Sequence, residues 1–352
     1  MVNKSQKNNS ELSSKAQLVL ELRKKQGETL SGSALAKIIG ISRVAVWKGI
    51  QSLVEAGYPI ETTDAGYSLN PHKDGDFLYP WEFGKREAMF RHFESTGSTM
   101  DRAREFAEQG LAAGTVIIAE KQKAGRGRNG RTWASRQGGL FFTILDRPAL
   151  AVADYTLPCL ILQIAVTRTL SAICGKQARL RWPNDIYIDQ RKIAGVMTEI
   201  SGEGDRINWL ALGVGINVNN PALSGKSVSC AEIIGHPVSR SEVLLRLLAE
   251  IEQLTLRFNS GAAYSQGNRL LAVEWNSLAD CIGAKAAVLD PGYGESAHVQ
   301  AFRDPQTRVL ARGIFSGIDP AGRCIITSEP GQNSRAEALY FNPGPVSLAF
   351  FS

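Results

Sequence analysis

Residues 120–133 read EKQKAGRGRNGRTW, and the rest of the chain is organised around them. Lys121, Lys123, Arg126, Arg128 and Arg131 stand among Gly125, Gly127 and Gly130, and no carboxylate occurs from Lys121 to Leu145. Glycine lets a backbone N–H approach a ligand closely, and guanidinium groups hold phosphate or carboxylate through paired hydrogen bonds. The stretch is built for an anion. Its glycines satisfy G-x-G-x-x-G, and residues 125–132 approach a phosphate-binding P-loop, with Arg131 where that motif needs Lys. Both motifs require a helix straight afterwards. Here Thr132, Trp133, Ala134 and Ser135 lead through a turn-like RQGG into LFFTIL at residues 140–145, a strand by length and composition. With TVIIA at 115–119 as the preceding strand, the order matches the phosphate-covering loop of protein kinases, yet the chain contains neither H-R-D nor D-F-G. A solvated basic loop that binds nothing is the plain alternative.

The chain has 352 residues, enough for two or three domains with cores of their own. At 43% apolar and 21% charged residues it falls in the globular class rather than the disordered one. Residues 1–15 are polar and lack the apolar stretch of a signal peptide, and no apolar run reaches spanning length; the best, residues 157–166, is interrupted by Gln163. The expectation is a cytoplasmic protein without a membrane partner. Cys159, Cys174, Cys230, Cys281 and Cys324 are odd in number and never C-x-x-C, so they read as small buried hydrophobes. The four histidines are scattered, which leaves no metal cluster and no Cys–His dyad. The net charge of +6 is uneven: residues 1–50 hold nine Lys or Arg against Glu11, Glu21 and Glu28, so this end carries the whole excess. A polyanionic partner fits that end.

Within it, Leu18, Val19 and Leu22 fall at helical spacing. A second helix runs from a Ser33 cap through Leu35, Ala36, Ile38 and Ile39 to a Gly40 stop. A third, capped by Ser42, carries Val44, Val46, Ile50, Leu53 and Val54 on its apolar stripe and closes by Gly57. Arg43, Trp47 and Lys48 fall off that stripe, where groove-facing residues belong. Residues 59–63 and 66–69 read as a hairpin wing, giving a winged helix-turn-helix in form. The competing reading is a helical pair with a glycine turn that binds nothing.

After a polar linker beginning at residues 71–75 come a strand at 91–93 and a helix at 100–109, which Ser98 or Thr99 would cap. A core helix covers 157–174. RWPNDI at 181–186 places Pro183 in a strand-like run, which demands an edge or a break. Residues 191–200 return as a strand, and WLALGVGINV at 209–218 sets Gly213 and Gly215 on one strand face, a sign of close approach by a backbone or a flat ligand. A helix follows at 241–258. Beyond a boundary near 276–283, strands at 287–289, 299–302, 309–318 and 324–327 form a small all-β barrel.

Taken together, GRGRNGRTW, RWPNDI, RKIAGV at 191–196 and GVGIN at 213–217 resemble the biotin protein ligases. The basic helix-turn-helix ahead of them and the barrel behind resemble the bifunctional ligase and repressor type. The resemblance runs in order from about residue 15 to the end. It implies an α+β chain: a disordered tail at 1–14, a winged helix-turn-helix at 15–70, a linker at 71–88, a mixed α/β ligase domain at 89–276 resembling class II aminoacyl-tRNA synthetases, and an SH3-like barrel at 277–352. It implies ATP, Mg2+ and biotin as ligands, biotinyl-5′-AMP as intermediate, and transfer to a lysine of a biotin carboxyl carrier domain. Operator DNA and a homodimer formed with biotinyl-AMP are the other implied partners.

By position, the resemblance gives Ser98, Thr99, Gln122 and the backbone of Gly125 and Arg126 to the ureido ring of biotin. Arg128 and Arg131 would hold carboxylate and phosphate beside Lys192. Trp133 would pack on adenine, with Asn217 also nucleotide-binding. Asn184 and Asp185 would orient phosphate oxygens and Mg2+, Asp185 also accepting the proton of the incoming lysine. Gly195 and Gly215 would leave room for the biotin rings, and Ser42, Arg43, Trp47 and Lys48 would meet DNA. The chain departs from the family pattern at Met100, where Asn is common, at Arg181, where Lys is usual, and in the tail, where Pro345 and Ala349 replace Glu and Arg. Two other readings stay open: a biotin-sensing DNA-binding regulator without catalysis, for which Ala349 speaks, and a ligase of lipoate or octanoate.

Overall fold

The structure is a computed structural model that describes residues 12–25, 27–72, 75–222, 225–259, 264–289, 309–328, 337–342 and 346–351. The expectations for the tail at 1–11, the strand at 299–302 and Pro345 lie outside them. The chain divides into two compact units, Met1–His92 with Ser239–Ser241, and Phe93–Val238 with Glu242–Ser352.

In the first unit, helices α1 (Ser14–Lys24), α2 (Gly32–Ile39) and α3 (Arg43–Glu55) precede the hairpin β1 (Ile60–Thr63) and β2 (Gly66–Leu69). Serine hydroxyls start all three helices by accepting an otherwise unpaired backbone N–H: Ser13 from Ala16, Ser31 from Ala34 and Ser42 from Ala45. The cap of α2 is therefore Ser31, not Ser33, which already lies in the first helical turn. Gly40 ends α2 in the left-handed conformation, φ 78°. Leu18, Leu22, Leu35, Val46, Ile50 and Leu53 form the core. Val44 and Val54, expected in that stripe, are 62% and 39% exposed. Val46, Ile50 and Leu53 already fill the inner face, and Val44 stands about 200° around the helix from Val46. The wing is strapped to the start of α2 by reciprocal backbone bonds between Leu30 and Tyr67. Gly66 permits this, since a Cβ there would stand 2.2 Å from the Leu30 carbonyl oxygen. Phe77, Tyr79 and Trp81 pack against the same core, and Glu82 binds Arg23 and Tyr58.

The second unit is built on a seven-stranded sheet, whose edge strand begins before the division at His92. Along the chain come β3 (Phe90–Phe93), α4 (Thr99–Glu108), β4 (Thr115–Ala119), β5 (Leu140–Asp146), α5 (Thr156–Cys174), β6 (Arg179–Arg181), β7 (Asp185–Ile188), β8 (Arg191–Glu203) and β9 (Arg206–Ile216), with sheet order β3-β4-β5-β9-β8-β7-β6. The expectation that no apolar run reaches spanning length is corrected by α5, whose 19 residues qualify by length and composition. It is the core helix: most of its side chains are buried, and Gln163 accepts the Trp275 indole N–H at 2.8 Å. Pro183 makes its break through a cis Trp182–Pro183 bond between β6 and β7. Helices α6 (Cys230–Ile234), α7 (Arg240–Asn259) and α8 (Tyr264–Leu278) follow; α6 and α8 are additions to the sequence reading. The C-terminal strands β10 (Lys285–Leu289), β11 (Val309–Ile318), β12 (Cys324–Thr327), β13 (Ala338–Phe341) and β14 (Ser347–Phe351) form an antiparallel sheet ordered β13-β12-β11-β10-β14. Ala349 is fully buried there beside Ala287 and Leu289.

Candidate active site

The basic loop is spliced between β4 and β5, neighbours in the sheet, so its ends are fixed while its middle arches over β8 and β9. The floor beneath is flat because register places glycine opposite glycine: Gly195 pairs with Gly215, and Gly213 lies opposite Thr143 on β5. A Cβ on Gly215 would stand 2.5 Å from Trp133 Nε1, and one on Gly195 would stand 3.0 Å from the same indole. The space above these two glycines is taken by Trp133 of the loop itself. At Gly213 the neighbour is Met100, whose sulfur would meet a Cβ at 2.5 Å.

The inner end of the cleft is lined by Ser98, Thr99 and Gln122, which a chain of hydrogen bonds holds from behind. Thr143 Oγ1 donates to Thr99 Oγ1 at 2.9 Å, and Thr99 donates through its hydroxyl and its backbone N–H to Gln122 Oε1 at 3.2 and 2.8 Å. Gln122 Nε2 donates in turn to Ser135 Oγ at 2.7 Å. Ser98 and Thr99 are buried at the start of α4, where Ser98 Oγ accepts the Met100 N–H. Ser98 is the cap and Thr99 the first helical residue, so the start of α4 sets the place of both in the cleft. Thr143 and Ser135 escaped the sequence reading, because nothing local marks a strand threonine or a loop serine that reaches a distant glutamine.

The opposite end is cationic. Arg128, Arg131 and Lys192 line the cleft, and among the described residues Asp185 is the only carboxylate that does so. Lys192 Nζ lies 2.8 Å from Asp185 Oδ1 and 5.0 Å from the centre of the Trp133 ring. Asn184 is fixed by donating to the Val196 carbonyl at 2.7 Å, and its own Oδ1 accepts from Arg128 at 3.5 Å. Burial pushes the Arg128 guanidinium down to about 10, the charge of Arg131 adds to this, and Asp185 and Tyr155 oppose it. Arg131 Nε is buried with no hydrogen-bond partner among the described residues, as is Trp133 Nε1.

Three implied placements are refined. Gly125 does not line the cleft; a Cβ there would stand 2.3 Å from the Trp133 carbonyl oxygen, so this glycine serves the fold of the loop. Asn217 is also outside the lining, its Oδ1 turned into a hydrogen bond from Asn220 at 3.0 Å. The Arg126 side chain is bound by Asp101 and Glu199 at 2.8 and 2.7 Å, which leaves only its backbone for a ligand. Neither acid was visible as a partner in the sequence. Arg181 binds Asp280 and Gln190 and stacks on Tyr187 at 3.9 Å from the ring centre, a bridging role that its planar fork suits. Leu348 lines the cleft, whereas Ala349 points into the C-terminal core. In the first unit, Ser42, Arg43, Trp47 and Lys48 are all exposed at the start of α3, with the Ser42 hydroxyl engaged in the cap.

Residues 92–217 match the Biotin/lipoate A/B protein ligase family, and residues 15–68 match an HTH domain. The Bifunctional ligase/repressor BirA of Bacillus subtilis (strain 168) is 33% identical over 240 residues, which cover 64% of this chain and 73% of that protein. The biotin–acetyl-CoA-carboxylase ligase of Paracoccus denitrificans is 29% identical over 261 residues, 71% of this chain and 98% of that protein. The solved biotin protein ligase from Aquifex aeolicus in complex with biotin and ATP aligns with a TM-score of 0.56 at 26% identity, over 74% of this chain and 97% of that one. The glycine floor, the cationic loop and the helix-turn-helix ahead of them occur here in one chain with those relatives, and the chain belongs to the biotin protein ligases of the bifunctional ligase/repressor type.

Proposed function

We propose that the chain activates biotin with ATP to biotinyl-5′-AMP, transfers biotin to a lysine of a carboxylase carrier domain, and represses transcription through its helix-turn-helix. The observation that carries the catalytic part is the gathering of Arg128, Arg131 and Lys192 at one end of a glycine-floored slot whose other end is a hydrogen-bonding strip. A flat, polar-headed ring fits the strip and floor. Its carboxylate then meets the cations.

In the first step a carboxylate oxygen attacks the α-phosphorus, a C–O–P bond forms, and the bond to pyrophosphate breaks. Attack of one anion on another needs neutralisation and in-line positioning rather than a protein nucleophile. Arg128 and Arg131 supply the fork geometry and Lys192 a point charge. One carboxylate together with substrate phosphate oxygens is a common setting for Mg2+, so Asp185, with Asn184 beside it, is the group that would hold it, adding charge neutralisation at the phosphates. In the second step the carrier lysine attacks the acyl carbon, AMP departs, and Asp185 accepts the lysine proton. Trp133 swings from the glycine floor to cover the nucleotide as biotin takes its place.

The central sheet is read as the class II aminoacyl-tRNA synthetase type and the C-terminal sheet as an SH3-like barrel; the antiparallel run of β4, β5, β9, β8, β7 and β6 supports the first, and the antiparallel five-stranded order supports the second. Cytoplasmic location and dimerisation with biotinyl-AMP belong to the same proposal. Incubation with labelled biotin, ATP and an apo carrier domain is the test. Label should enter the carrier only with ATP present, and excess lipoate should not compete. A chain that binds biotin but releases no pyrophosphate would be a sensor instead.

A further inference from the structure

The outer face of α3 is only half basic. Val44 and Trp47 are 62% and 53% exposed on the same side as Arg43 and Lys48, at the i, i+3, i+4 spacing of one helix face. The inner face is complete without them, since Val46, Ile50 and Leu53 are fully buried. Two large apolar side chains thus stand in water at the first turns of the helix. Their neighbours select the kind of partner: Arg43 and Lys48 are exposed beside them on the same helix, and α3 offers no carboxylate before Glu55. Such a face fits a polyanion that also presents small apolar groups. In the major groove of duplex DNA the base edges carry one apolar group, the C5 methyl of thymine.

We infer that Val44 and Trp47 read thymine methyl groups in the operator half-site. This rests on the proposal that α3 enters DNA, and it adds which base the entry selects. The N-terminal turns of a recognition helix are the part that meets base edges. Residues three apart on a helix have Cβ atoms roughly 5–6 Å apart, one to two base-pair steps of about 3.4 Å. The two thymines therefore lie at adjacent or next-adjacent positions, while Arg43 and Lys48 take phosphate or guanine.

The test selects sites from a pool of random-sequence duplexes with the full-length chain in the presence of biotin and ATP. Each thymine of the selected site is then replaced singly by deoxyuridine, which removes only the methyl. One or two positions per half-site should lose about four-fold in affinity, the value of one buried methyl. Val44→Ser should abolish the loss at one position and Trp47→Gln at the other, with thermal melting confirming that both variants fold. Selected sites that tolerate uracil at every position would overturn the inference while leaving DNA binding intact. So would uracil losses that persist unchanged in both variants. A pool that yields no preferred sequence would overturn the operator reading together with it.

Discussion

Arg128 shows how burial stores a demand for ligand. Its guanidinium is held down to about 10 by desolvation, with Asn184 as a long hydrogen-bond partner and Arg131 as a like-charged neighbour. It remains charged at neutral pH, and its contribution should be lost only as pH rises through about 10. An arriving carboxylate or phosphate offsets that desolvation with opposite charge, so biotin with ATP should raise the melting temperature more than biotin alone. Arg128→Ala should lower the rate of pyrophosphate release by about 10²–10³-fold, and Lys at the same position should restore little, because a point charge cannot span two oxygens. A rate within a factor of three of the parent would remove Arg128 from the chemistry. Gly215 makes a separate prediction, because its missing side chain is the flatness of the floor. Gly215→Val should raise the KM for biotin at least ten-fold while the β9 ladder survives, which far-ultraviolet circular dichroism would confirm. An unchanged KM would mean that biotin does not use this floor.

The loop is the element where sequence and structure can be compared most closely. Backbone bridges join Thr96 to Gln122, Gln122 to Ser135 and Arg126 to Thr132, and Asp101 and Glu199 bind Arg126. Arg128 and Arg131 flank the one turn between these ties, so trypsin should cut after them sooner than after Arg126, and biotin with ATP should slow those cuts several-fold. Equal cleavage with and without ligands would count against closure. The loop's limits were legible because its signals are local: glycines, like charges and a strand on each side. The same held for the Gly40 stop and the Ser42 cap. What escaped was set at a distance. Ser31 and Ser33 offer the same hydroxyl, and only the bond between Leu30 and Tyr67 fixes which one precedes the helix. Val44 looks like core by hydropathy, yet its place depends on the inner face being filled. Helix α8 was missed because its apolar positions are interrupted by Gly267, Asn268 and Arg269, and its Trp275 is explained only by Gln163 across the core. Strand β13 is short and mostly exposed, which leaves no alternation to read.

At the scale of the whole molecule, the proposed repressor needs a ligand in one unit to alter DNA binding by the other. In that proposal one helix-turn-helix covers one half-site, tight and specific operator binding calls for two chains, and whatever favours a dimer would favour repression. A ligand that closes the loop and favours dimerisation must, by linkage, be held more tightly by the dimer than by the monomer. In sedimentation experiments, biotin and ATP together should shift the chain from monomer towards dimer, and a duplex carrying two half-sites should do the same and slow the loss of labelled biotinyl-AMP. Operator affinity should rise with both ligands present and fall steeply with salt, since each phosphate contact made by residues such as Arg43 or Lys48 contributes about 0.9 to the slope of log K against log salt. A single half-site duplex separates the two effects. Its affinity should keep the salt dependence per chain and lose the response to biotin and ATP, because the electrostatic contacts belong to the module and the ligand response to the pairing. If the single half-site responds to ligand as strongly as the pair does, the coupling runs within one chain and dimerisation is not its route.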